Sequence, residues 1–241
     1  MVTRWLCVEF LEYEPWAEPI WAARTHAGLD RVPRGCAMDE LGVHIPTRRE
    51  MIRRVVDRLG ADCDALFATV KNRNPTHQVF TPDTEGRTIK IDANLRADIL
   101  IGIDSLLSDV KTCCELMAKF LAEVARDAGS PISGDQIGKV LQRVVVEAGG
   151  DPSWFTALCQ ARNLFVHQAT PYIAVDLSGE EEGRYDLLIM KEENLRNFDD
   201  ETKFLRLADL NDIMDGFYLA KRALQQYLIR LYQEAGGGPR C

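Results

Sequence analysis

No stretch of the 241-residue chain approaches the roughly 18 consecutive apolar residues of a membrane span, so no membrane partner is expected. The apolar run that opens at Trp5 meets Glu9 too early to form the core of a signal peptide, and a cytoplasmic protein is the expectation. Seven cysteines are present, an odd number with no CxxC pair, which excludes the disulfide framework of a small secreted domain. Cys63, Cys113 and Cys159 fall at apolar helix positions and read as small core hydrophobes. Cys36, His26 and His44 match no standard zinc spacing, so neither a metal nor another cofactor is expected. The chain also lacks a glycine-rich phosphate loop and a catalytic serine motif, which leaves few familiar enzyme classes a foothold. An excess of positive charge is missing as well: 29 lysines and arginines face 37 acids, a formal net charge of -8. That acidity is local. Residues 176–201 hold ten acids against Arg184, Lys191 and Arg196, and the rest of the chain lies one charge from neutral.

What is present is helical periodicity. Residues 1–45 are the exception, broken by Pro15, Pro19, Pro33, Gly28, Gly35 and Gly42, with a candidate strand at Trp5–Leu11. Trp5, Trp16 and Trp21 mark this segment either as packed on the core or as an aromatic platform for bases. After Pro46, Thr47-Arg48-Arg49-Glu50 has the form of a capping box and predicts a helix over 47–71. Ile52, Val56, Leu59, Cys63, Leu66 and Val70 form its apolar stripe. Arg49, Arg53, Arg54 and Arg58 lie opposite as two i,i+4 pairs, either holding phosphates or serving as solvated surface. His77 follows Arg73-Asn74, but Pro75 between them keeps that copy out of a helix.

Asp92 to Ala128 predicts the longest helix, with one stripe from Ile99 to Val124 and a second of Leu100, Leu107, Cys114 and Leu121. Two adjacent stripes imply a bundle centre or a subunit interface. Ser133-Gly134-Asp135-Gln136 starts a shorter helix, and Asp151-Pro152 starts another that runs to about Gln168. Runs at 172–177 and 185–190 predict a hairpin, and 204–207 a third short strand, before a final helix over 208–235. The expected class is mainly α: a bundle of about five helices with a small β-hairpin before the last. Residues 1–91 form an N-terminal region packing on a bundle at 92–235, and 236–241 is a flexible tail.

Late in the fourth of these predicted helices stands Arg162-Asn163-Leu164-Phe165-Val166-His167. An imidazole titrating near neutral pH suits proton transfer to or from an RNA 2'-OH. A guanidinium can pair two phosphate oxygens as charge builds in the transition state. Asn163 and His167, four residues apart on one helix face, allow the amide to orient the ring or the phosphate. Arg162 and His167 are about 140° apart on an ideal helix, so a working site needs either a loosened helix end or a second subunit.

An Arg, a polar residue, a short gap and a His late in a helix of a bundle resembles the HEPN superfamily. Arg162, Asn163 and His167 carry the likeness, which covers roughly 92–235 together with the helix order. The resemblance implies a homodimer with facing motifs that cleaves RNA without metal, leaving a 2',3'-cyclic phosphate and a 5'-OH. The expected role is a toxin or defence effector, with an antitoxin or other protein partner. Two further readings stay open: a catalytically silent HEPN-like module binding RNA, nucleotide or a protein, and a helical adaptor docking through residues 176–201. In a purely structural role, Arg162 pairs with Asp186 or Glu115, and His167 caps a helix C-terminus.

Overall fold

A helix that is apolar on two faces must be covered on both. Ala93–Asp127 (α3) is such a helix, with Ile99, Ile103, Leu106, Leu107, Val110, Cys113, Cys114, Met117, Phe120, Leu121, Val124 and Ala125 all buried. Asp92 caps it, its carboxylate accepting from the backbone N–H groups of Asn94 and Leu95. The computed structural model describes residues 16–72, 79–80, 87–89, 91–166, 171–190 and 204–237. The proposed strand at 5–11, His77, His167, residues 191–203 and the tail from 238 lie outside the described residues.

Ala37–Lys71 (α2) runs antiparallel along α3, fixed by Arg48–Asp109 at 2.6 Å and Arg58–Asp98 at 2.9 Å, with Leu59 against Gly102. This helix starts ten residues before the predicted Thr47 cap and passes through Pro46. Thr47 is no cap: its hydroxyl donates to the Val43 carbonyl at 2.9 Å, inside the helix. Pro46 removes one N–H from the ladder, and its burial beside Ile45 offsets that loss. Of the expected stripe, Ile52, Leu59, Cys63, Leu66 and Val70 are buried, whereas Val56 is 36% exposed.

The second stripe of α3 is also covered within the chain. Gly134–Glu147 (α4), Ser153–Val166 (α5) and Leu207–Gly237 (α6) pack on it. Leu107, Cys114 and Leu121 are buried among them and Leu100 is half-buried, so most of this stripe serves the bundle centre. Glu18–His26 (α1), which the prolines and glycines around it concealed, packs on α6. Trp16 and Trp21 each hold Phe120 of α3 at a ring separation of 5.5 Å, so both tryptophans serve the core. The described residues thus hold six helices where about five were expected, in a mainly α fold.

Two-residue strands Val79–Phe80 (β1) and Arg87–Thr88 (β2) pair antiparallel. Tyr172–Asp176 (β3), Asp186–Met190 (β4) and Phe204–Arg206 (β5) form the predicted hairpin with its third strand, antiparallel in the order β3-β4-β5. The sheet enters α6 directly from Arg206. Phe67 of α2 stacks on Tyr185 at 5.8 Å and ties the hairpin to the bundle.

A buried polar knot joins three helices. Arg24 of α1 donates from Nε and Nη2 to Asp127 of α3 at 2.7 and 2.9 Å, and Tyr232 of α6 donates to the same carboxylate at 2.8 Å. Arg24, and then Tyr232, hold the Asp127 carboxyl below its usual value. A depressed folded-state value stabilises the fold above the unfolded value near pH 4, and that stabilisation is lost as pH falls below it. Asp127→Asn is therefore expected to cost about 2–4 kcal/mol in urea unfolding at neutral pH. The deficit against wild type shrinks as the pH is lowered through about 4.

Close helix contact fixes the position of α5. A Cβ on Gly216 of α6 would sit 2.3 Å from Cγ of Trp154, near that residue's backbone and unable to swing away. In an ordinary helix interior Gly→Ala gains about 1 kcal/mol. Gly216→Ala is expected to lose about 1–3 kcal/mol instead, read as a lowered urea midpoint with an unchanged m-value.

Candidate functional site

The fifth helix is launched by Asp151, whose carboxylate accepts from the Ser153 backbone N–H at 2.9 Å and from the Ser153 hydroxyl. Those bonds from Ser153 hold the Asp151 carboxyl below its usual value. Leu158 and Ala161 are buried on the inner side, and Trp154 meets Phe217 of α6 at a ring separation of 6.4 Å. This packing presents the end of α5 with Arg162 half-buried at the seam and Asn163 exposed beside it. The helix stays regular through Val166, so it does not loosen before the position of His167. His167 itself lies outside the described residues.

Neither carboxylate expected to neutralise Arg162 does so. Asp186 lies 3.8 Å from Arg206, which also reaches Asp176 at 3.7 Å, and Glu115 lies 3.8 Å from Lys111. Nε of Arg162 is sealed from solvent and has no hydrogen-bond partner among the described residues. A buried donor without a partner costs about 1–3 kcal/mol, so Arg162 is a poor choice for structure alone.

The arginines of α2 are arranged differently. Arg53 donates from Nε and Nη2 to Glu50 at 3.0 and 2.9 Å, Arg54 reaches the same carboxylate at 3.1 Å, and Arg58 pairs with Asp98 at 2.9 Å. Arg53 first, and Arg54 after it, keep the Glu50 carboxyl below its usual value. Arg49 is half-buried. Three of the four thus begin partly neutralised, and they stand on a helix that packs on α3, whereas Arg162 stands on α5.

Burial pushes the thiols of Cys63 and Cys113 up to about 11 and about 12, as inert core residues require. His26 and His44 are exposed, and among the described residues no three His, Cys, Asp or Glu side chains gather as metal ligands. Lys221 was missed by the sequence reading. It is 5% exposed, and burial, with Arg49 adding, pushes its ammonium down to about 8. Its signal was present in the spacing, because Phe217, Lys221, Leu224 and Leu228 keep the core periodicity of α6.

Comparisons of the chain with protein-family models, curated proteins and solved structures give no match. The chemistry of the site therefore rests on Arg162 and its neighbours. Arg162→Met keeps an unbranched apolar stem and removes the orphaned donor. The expected result is a fold about 1 kcal/mol more stable than wild type by thermal or urea unfolding. A loss of stability in that variant means that Arg162 has a structural partner.

Proposed function

We propose that the end of α5 handles an RNA phosphate, and that the protein is a HEPN-like, metal-independent endoribonuclease acting as a toxin or defence effector. One observation carries the proposal: the half-buried Arg162, whose Nε has no hydrogen-bond partner among the described residues, stands beside the exposed Asn163 on α5. In this reading Arg162 binds the scissile phosphate and stabilises its developing charge. Asn163 orients the phosphate or the ring. His167 exchanges the proton of the 2'-OH, so that the oxygen attacks phosphorus and the 5'-oxygen leaves with a proton.

A second reading is a silent HEPN-like module that binds RNA, nucleotide or a protein partner. It is favoured by α5 remaining helical through Val166, because the described helix shows no loosening that would ease the rotation expected from the spacing of Arg162 and His167. The nuclease then needs a homodimer, and Leu107, Cys114 and Leu121 of the second α3 stripe are already committed to the core.

Incubation of purified protein with single-stranded RNA in EDTA separates the two readings. The nuclease predicts cleavage that survives EDTA, leaves 2',3'-cyclic phosphate ends, and falls about 100-fold or more in both His167→Ala and Arg162→Ala. Cleavage by both variants at the wild-type rate removes these residues from the site. Binding without cleavage selects the silent module.

A further inference from the structure

Phe155 stands out on the site-bearing helix. It is 37% exposed and, with Tyr172, is one of two aromatics among the exposed large apolar side chains of the described residues. It lies seven residues before Arg162, which puts both on one face of α5 about 10 Å apart along the axis. The ring is held from two sides. Trp154 meets it edge-on at 5.7 Å with planes at 83°, and the Lys111 ammonium of α3 sits 4.4 Å from its centroid. Glu115, one turn further along α3, steadies that ammonium at 3.8 Å. The remaining exposure belongs to a ring that is positioned but not covered.

The geometry points to Phe155 as a stacking platform for one nucleobase of a single-stranded RNA whose neighbouring phosphate is held by Arg162. This rests on the phosphate-handling reading of Arg162 and adds a base-recognition subsite to it. A ring stacks with any base, so the contact is tolerant of sequence. Lys111 biases it. A cation on one face draws π-density inward and leaves the other face better matched to an electron-rich purine. Arg162 supplies the charge for the neighbouring phosphate, while Lys111, paired with Glu115, serves to position the ring.

The test uses the full chain and fluorescein-labelled oligoadenylate in EDTA, with anisotropy and strand cleavage measured in the same samples. Phe155→Leu, which keeps apolar packing, is expected to weaken binding about 10-fold, and Phe155→Trp to retain it. Abasic oligomers are expected to bind the wild type more weakly by a similar factor and to be insensitive to Phe155→Leu, a comparison that does not depend on variant stability. Equal oligoadenylate affinity for wild type and Phe155→Leu overturns the subsite, as does wild type that fails to bind oligoadenylate. Cleavage that persists with unchanged affinity in Phe155→Leu removes the subsite and leaves the nuclease standing. Phe155-dependent binding with no cleavage in any sample removes the nuclease and leaves the subsite.

Discussion

The need to cover α3 on two sides governs the rest of the molecule. A helix with one apolar stripe can lie on a surface, whereas one with two must be enclosed. On one side α2 does this over its whole length, registered by the Arg48–Asp109 and Arg58–Asp98 pairs. On the other side α4, α5 and α6 share the work, and Trp16 and Trp21 close the end around Phe120. The site-bearing helix is thus a cladding element. Its inner face is committed to α3 and α6, and whatever chemistry it carries must sit along its outer edge.

That edge is where the fold accepts a polar cost. Several other cations are matched: Arg24 by Asp127, Arg53 and Arg54 by Glu50, Arg206 by two aspartates. Nε of Arg162, like Nη1 of Arg24 and Oδ2 of Asp62, is sealed without a hydrogen-bond partner among the described residues. Such a group calls for an explanation, and on α5 the reading proposed above supplies a phosphate. The same contrast explains why the arginine-rich face of α2 is a weaker candidate for RNA. Charge alone is plentiful there, but Glu50 and Asp98 already answer it.

Periodicity made the fold legible where the chain is regular. The limits of α3, the hairpin at 172–190 and the final helix follow from stripes and turn residues, and the structure agrees within a few residues. The start of α2 was misjudged because Pro46 followed by Thr47-x-x-Glu50 imitates a helix beginning. A stronger signal ran through it: Met38, Ile45, Ile52, Leu59 and Leu66 recur every seven residues and are all buried. The first helix was hidden for another reason. Nine residues flanked by proline and glycine carry too little periodicity to stand out, and only packing on α6 makes them a helix. At the site, the type of Arg162 and Asn163 was readable, but not the fact that Asp186 is held by Arg206. Which carboxylate answers which cation depends on register across a sheet, and spacing along a chain does not encode that.

The contacts of α1 tie the earliest described residues to the latest. The Gln225 amide donates to the Trp16 carbonyl, Tyr232 reaches Asp127 and the Met38 sulfur, and Ala27 abuts Gly236. These partners are separated by up to 209 residues of sequence. On a ribosome adding about 5–20 residues each second, α1 must wait some ten seconds or more for α6 to be made. Until then Trp16, Ile20 and the open side of α3 have no cover. The nascent chain passes through a long interval with an unfinished core, and α1 docks only once α6 is made.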